Sequence, residues 1–336
     1  MLNRKIIVQL YLTSFIICTT LFLQAQTNYE AGNNASAGSG ENNTVVGANA
    51  GSSTATGSSN SFFGNLSGST NSTGNFNAFF GRSTGLSNST GNENTFVGAV
   101  SGANNSSGSQ NSFFGRSAGL AHRSGFGNSF FGSSAGSSTT TSNFNSFFGR
   151  SAGLANTTGF NNSFFGQGSG RFITTGSFNV IIGNEAGPTT ANSDVSNRLY
   201  IDIDESLSPE GNDDPLIYGE FDNDFVRING TFEVTAGLTN PSSRTLKNQF
   251  ISLDASTILS KLAALDIQQW TYIERPDEKH VGPVAEDFYE AFGLGQGDQN
   301  ISTIDADGIM MLAIQALQKE NEELKERLVK LEEKLK

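Results

Sequence analysis

Ser242 and Lys247, a serine and a lysine five positions apart, have the residue types of a nucleophile and its base. A serine hydroxyl attacks a carbonyl only when a neighbouring group takes its proton. Lysine, with a free pKa of about 10.4, does so near neutral pH only where burial favours its neutral form. Taken alone, such a pair is ordinarily two surface residues. Other reactive types are sparse: His122 and His280 are the only histidines and Cys18 the only cysteine. His280 has no assignable carboxylate partner, and its expected role is structural, at the start of a turn. The acidic residues Asp202, Asp204, Glu205, Asp213 and Asp214 could attract a cation. Their spacing matches no loop ligand set and reads as a solvated linker. No metal and no cofactor is expected.

The segments that position these residues are dominated by repetition. A phrase close to Asn-x-Phe-Phe-Gly begins at Asn43, Asn60, Asn77, Asn94, Asn111, Asn128, Asn145, Asn162 and Asn179, always 17 residues apart. A small residue and a glycine come after it in every copy, from Ala50-Gly51 to Ala186-Gly187. Ordinary loops tolerate insertions, so a register this strict predicts one coil per repeat, each stacked on the last. Asn-Ser-Phe-Phe-Gly is a short strand bounded by turn formers, and the rest of each coil could supply a second strand. Nine coils advancing about 4.8 Å each make a rod on the order of 40 Å. Stacked asparagines would form a side-chain ladder that satisfies the corner amides.

The doubled aromatic constrains the rod further. Successive strand residues face opposite ways, so Phe113 and Phe114 cannot share a core, nor can Phe62/Phe63 or Phe147/Phe148. One ring fills the coil, where Ala118, Ala135 and Ala152 leave room. The other forms an aromatic stripe that calls for a partner, most economically identical rods about a shared axis, three in number. Calcium-binding coils need Asp at the corners, and residues 40–187 contain none. Regular Thr faces of ice-binding coils are absent, and strict aromatic register argues against disorder.

Outside the rod the chain changes character. Residues 1–25 read as a secretory signal, with Arg4 and Lys5 before an apolar stretch and Leu23-Gln24-Ala25 as the cleavage site. Residues 26–39 form a low-complexity lead-in, 40–190 the repeats, and 191–241 a β neck. In that neck Asn229-Gly230 predicts a hairpin between Phe225–Ile228 and Thr231–Val234. Ala255–Leu265 and Pro283–Phe292 read as short amphipathic helices, with Trp270 and Tyr272 in the adjoining core. In the final helix Met310, Ile314, Leu317, Asn321, Leu324, Leu328, Leu331 and Leu335 alternate at steps of four and three. That is a heptad seam with one amide to fix register. A net charge of −12 argues against a nucleic-acid partner.

Two stretches resemble known families. The repeats resemble the heads of trimeric bacterial surface adhesins of the autotransporter type, though their period is longer and the chain lacks a terminal membrane barrel. From Ser242 the chain resembles the intramolecular chaperone domain of phage tail fibres and tailspikes, the S74 peptidase family. The motifs are Ser242-Ser243-Arg244-Thr245-Leu246-Lys247-Asn248, His280-Val281-Gly282-Pro283-Val284-Ala285-Glu286-Asp287-Phe288 and Ser302-Thr303-Ile304-Asp305-Ala306-Asp307-Gly308. This resemblance implies a trimeric assembly domain over 242–308, followed by a coiled coil over 309–336. It also implies single-turnover autoproteolysis at the Pro241–Ser242 bond, with Ser242 as nucleophile and Lys247 as general base. Ser243 stands where the family often has Asp, and Pro241 is a stiff neighbour for the bond to be cut.

The expected fold class is therefore mostly β with a C-terminal α part. A stacked β-coil solenoid leads through a hairpin neck to an α+β chaperone-like domain ending in a coiled coil. The expected protein is a secreted or surface-exposed, outer-membrane-associated bacterial homotrimer, adhesin-like, with a host-surface or glycan receptor. Two alternatives stay open: a tailspike-type polysaccharide-degrading enzyme and a purely structural surface component. The enzyme would need paired carboxylates across a groove, and the rod has no Asp and few Glu.

Overall fold

The computed structural model describes residues 28–188, 194–203, 215–235, 240–273, 275–295 and 297–335. The expected signal segment, Cys18, and four of the acidic residues (Asp204, Glu205, Asp213 and Asp214) lie outside these residues. Contacts divide the chain into two compact units between Glu233 and Val234.

The first unit is a β-solenoid of about ten turns. Its strands are β1 (Tyr29–Ala31), β2 (Thr44–Val46), β3 (Ser61–Phe63), β4 (Ala78–Phe80), β5 (Thr95–Val97) and β6 (Ser112–Phe114). They continue as β7 (Ser129–Phe131), β8 (Ser146–Phe148), β9 (Ser163–Phe165), β10 (Val180–Ile182) and β11 (Arg198–Ile201). Each pairs in parallel with the next in one sheet. Each repeat holds one three-residue strand, and the expected second strand does not form. Turns replace it, because each coil places several residues in the left-handed region, as at Gln110 (φ 59°), Ser117 (φ 59°) and Gly119 (φ 58°).

The phrase residues explain the closure. The first phenylalanine of each pair points inward, and Phe62, Phe79, Phe96, Phe113, Phe130, Phe147 and Phe164 are wholly buried. Their rings stack nearly parallel, with centroids 4.7–5.1 Å apart, the spacing of the strands themselves. Val45 and Ile181 occupy this column toward its two ends. The small residue and glycine after each phrase are the floor beneath the ring. A Cβ on Gly119 would overlap the ring of Phe113, and the same holds for Gly68, Gly85, Gly102, Gly136 and Gly153 with their own phenylalanines.

The second phenylalanine points outward but is not left bare. Phe114, Phe131, Phe148 and Phe165 stack on one another at 4.7–5.1 Å, so the inner rings of this outer column are half-buried. Phe80 and Phe165 remain 40% and 42% exposed. A further aromatic row appears at a corner, where Phe126 packs edge-on against Phe144 and Phe160 against Phe178.

Asparagines form the expected ladder, and it is complete. The Oδ1 of Asn94 accepts from both the backbone N–H (3.1 Å) and the Nδ2 (3.2 Å) of Asn111, whose Nδ2 also donates to the Gly125 carbonyl at 2.9 Å. Asn128 repeats this on Asn111. The column begins earlier than the sequence period shows. Asn28 Oδ1 accepts from Asn43 N–H across a 15-residue step, so β1 inside the lead-in is a full rung. At the other end Arg198 N–H donates to Asn179 Oδ1 after a 19-residue step.

A second buried column runs through Asn71, Asn88 and Asn105, joined Nδ2 to Oδ1 at 2.7–2.8 Å. His122 takes the next place and breaks it. Its Nε2–H donates to the Gly125 carbonyl at 3.1 Å, while Asn105 Oδ1 is left without a partner. Phe113 and Phe130 meet its ring edge-on. Burial pushes the imidazole down to about 4, against a partial opposing effect of the Gly125 carbonyl.

β12 (Ile217–Glu220) and β13 (Phe225–Ile228) close the sheet as an antiparallel hairpin on β11. This corrects the hairpin expected at Asn229-Gly230. The turn falls instead at Phe221–Asp224, with Asp224 at φ 51°, and residues 231–234 form no strand. Asn229 N–H donates to the Leu216 carbonyl, so the Asn-Gly pair ends the hairpin rather than turning it.

The second unit holds α1 (Ala255–Ala264), the antiparallel pair β14 (Gln268–Tyr272) and β15 (Arg275–Gly282), α2 (Ala285–Phe292) and α3 (Thr303–Lys334). Asp254 caps α1, its carboxylate accepting from Thr257 N–H at 3.1 Å. Ile258, Phe288 and Ile309, one from each helix, form the core. No helix among the described residues is long and apolar enough to cross a membrane.

The solenoid interior can be tested at two residues. Gly119→Ala combines a ring clash with a left-handed backbone and should destabilise the rod by roughly 2–5 kcal/mol, seen as a lower melting temperature of the 35.6 kDa chain. For His122, the unfolded chain binds more protons than the folded one between the ordinary value of 6.5 and about 4. Stability is then complete above the first value and falls by on the order of 3 kcal/mol as pH drops to the second. His122→Asn should flatten that part of a melting profile and pair the free Asn105 oxygen; an unchanged pH profile contradicts this.

Candidate functional site

Ser242 and Lys247 lie in an exposed segment of the second unit, and the structure brings them together. Lys247 Nζ donates to Ser242 Oγ at 2.7 Å. The local cause is a single 3-10 turn, Arg244–Leu246, which folds the five-residue interval back on itself. Ser243 caps that turn: its Oγ accepts from Thr245 N–H at 3.3 Å and lies 2.8 Å from Thr245 Oγ1. Serine and aspartate are both strong caps, so serine can do the structural work of the aspartate that often stands at this place. Arg244 lies over the Phe250 ring, 5.2 Å from its centroid, and steadies the far side of the turn.

In this arrangement the lysine donates and the serine accepts. General-base action needs the reverse polarity, with a neutral amine accepting from the hydroxyl. Burial is the influence that favours a neutral lysine. Both residues are exposed on the single chain, as is every described residue from Asn240 to Asp254. The segment has the pairing distance without the enclosure.

His280 takes no part in this contact. It lies within β15, opposite Trp270 on β14, rather than at the start of a turn. Its ring stacks on Trp270 at 4.7 Å and meets Tyr272 at 5.4 Å. It belongs to a cross-strand aromatic cluster. Trp270 and Tyr272 thus belong to the hairpin and not to the helical core; Tyr272 is 55% exposed. Asp202, the described member of the acidic group, belongs to the solenoid, where its N–H donates to the Ile182 carbonyl.

The terminal helix has two different apolar faces. Ile309, Ala313 and Ala316 are buried against the rest of the unit. Met310, Ile314, Leu317, Leu324, Leu328 and Leu331, the heptad seam, are 48–65% exposed. Beyond Ala316 every described residue of the helix is exposed. Sequence reasoning found the seam but not Asn28 as a ladder member, because a 15-residue step hides it from a search at 17.

Comparison with known proteins bears on the second unit. Residues 242–293 match the family model Peptidase S74, described as the chaperone of endosialidase. The match opens on Ser242 and takes in the Ser242–Asn248 and His280–Phe288 motifs, while the Ser302–Gly308 motif and the whole of α3 lie beyond it. No curated protein and no solved structure matches the chain. A β-solenoid leading to an S74-type chaperone segment is the organisation of a tail-fibre-like structural protein.

Proposed function

We propose that the chain is a secreted or surface-displayed homotrimeric fibre with an adhesive or spacer rod. Its domains would be those expected from the sequence, with residues 242–308 as the assembly domain and 309–336 as the coiled coil. The observation that carries this reading is the uncovered heptad seam of α3. A lone helix gains little from propensity in water, so its stability comes from packing an apolar face. The residues after Ala316 have no such packing within the unit. Sister helices would supply it, with Asn321 aligning them. The stacked outer phenylalanines offer a second surface for the same association.

Assembly would also enclose Ser242 and Lys247. A neutral Lys247 amine would then take the Ser242 Oγ proton as that oxygen attacks the Pro241 carbonyl carbon. The Pro241–Ser242 C–N bond breaks, the new Ser242 amine receives the proton, and the Pro241 acyl group passes to Oγ as an ester. Water hydrolyses the ester to a Pro241 carboxylate and restores the hydroxyl. Cleavage would thereby report completed assembly.

Two measurements test this reading. Light scattering of the full chain should give three times the chain mass, and Leu324→Glu with Leu328→Glu should return the monomer; a monomeric wild type contradicts the fibre. Mass spectrometry should find a fragment beginning at Ser242 in the wild type and an intact chain for Ser242→Ala. An intact wild-type trimer removes self-cleavage alone.

A further inference from the structure

The solenoid carries a charge pattern that trimer formation leaves unused. One corner of each coil comes directly after the closing glycine, and at five successive coils it holds Arg82, Ala99, Arg116, Ser133 and Arg150. The strands just before these corners pair in strict register, Phe80 on Val97, Val97 on Phe114, Phe114 on Phe131 and Phe131 on Phe148. The corners are therefore stacked, with arginine on every second coil. At about 4.8 Å per coil, consecutive arginines stand about 10 Å apart on one line.

All three side chains are exposed. The ion pairs among the described residues are Arg171 with Glu185 and Arg198 with Asp222, so none engages this row. Like charges held on a line repel, and a matching line of negative charge would relieve them. The rod cannot provide that line for itself or for a sister rod. Residues 40–187 contain no Asp, and Glu41, Glu93 and Glu185 keep no two-coil interval. A nucleic-acid strand fits poorly, since B-DNA phosphates recur about every 3.4 Å along a strand, far closer than the arginines of the row.

We propose that this row binds an extended acidic polysaccharide bearing one carboxylate on alternate sugars. A β-linked pyranose is close in length to the thickness of one coil, so alternate sugars fall in step with alternate coils. Each guanidinium takes one carboxylate, in the paired geometry that arginine forms with carboxylates. Ala99 and Ser133, small and uncharged, leave space for the neutral sugar between. The inference rests on the displayed-fibre reading and names the class of ligand such a fibre would hold. Three copies of the row in one trimer would add avidity to individually weak contacts.

The test titrates the full chain with hyaluronan, in which glucuronate alternates with a neutral sugar, and with the same polymer after carboxyl reduction. Binding to hyaluronan alone, weakening with added salt, is expected. Arg82→Gln, Arg116→Gln and Arg150→Gln together should weaken it about tenfold or more. Arg123→Gln, an exposed arginine off the row, should leave it unchanged. Circular dichroism confirms folding of the triple variant, and Arg116→Gln alone carries the test if that variant fails to fold. No binding at low salt, an equal loss in Arg123→Gln, or tighter binding of single-stranded DNA overturns the proposal. Light scattering on the same samples separates the two readings: a trimer that ignores hyaluronan removes only this inference, whereas a monomer removes the fibre.

Discussion

The rod depends on an amide that bonds to its own copies. A buried ladder asparagine such as Asn111 accepts twice from the coil on one side, donates to the coil on the other and ties down a corner carbonyl. Inside a protein an unpaired amide group costs about 1–3 kcal/mol, so a single slipped coil would forfeit several bonds together. That penalty explains why the interval between asparagines is held at 17 residues from Asn43 to Asn179. The phenylalanine column obeys the same rule, because each ring needs a copy of itself at the spacing of the strands.

In the second column the rule is relaxed at His122, and a bond is lost. His122 keeps the local part of the asparagine's role, the bond to a carbonyl three residues on. It gives up the bond to the coil before it, where Asn105 Oδ1 is left without a donor, while its Nδ1 lies 3.5 Å from Thr139 Oγ1 in the coil after it. Because no charged group is bonded to the imidazole to balance a proton, burial dominates its titration.

Much of the solenoid was legible because its cause is periodic. The inward ring, the small-residue floor and the amide ladder all arise from side-chain alternation and strict register. Whatever departed from the period was hidden. Asn28 lies 15 residues from its partner and Arg198 lies 19 from its own, so both end coils looked like something else. A second strand per coil was expected from composition, but residues such as Gln110 and Ser117 adopt left-handed corners that no propensity scale marks. Asn229-Gly230 carries a strong hairpin signal, yet the Asn229 backbone is committed to Leu216 and the turn falls earlier. In the second unit the Ser242–Lys247 contact was foreseeable only through a family resemblance. The cap that makes it geometrically possible, Ser243 on Thr245, could have been read from local chemistry.

A coil that satisfies its neighbours equally on both sides is also a unit of length. Copying or deleting one 17-residue block leaves the amide ladder and the ring column continuous, and changes the reach of the rod by about 4.8 Å. The arginine corner, however, repeats only every second coil. Growth by single coils would throw that row out of phase while leaving the core intact, whereas growth by pairs would preserve both. The architecture thus separates two quantities that usually vary together in a protein, how far it extends and what pattern it presents along the way.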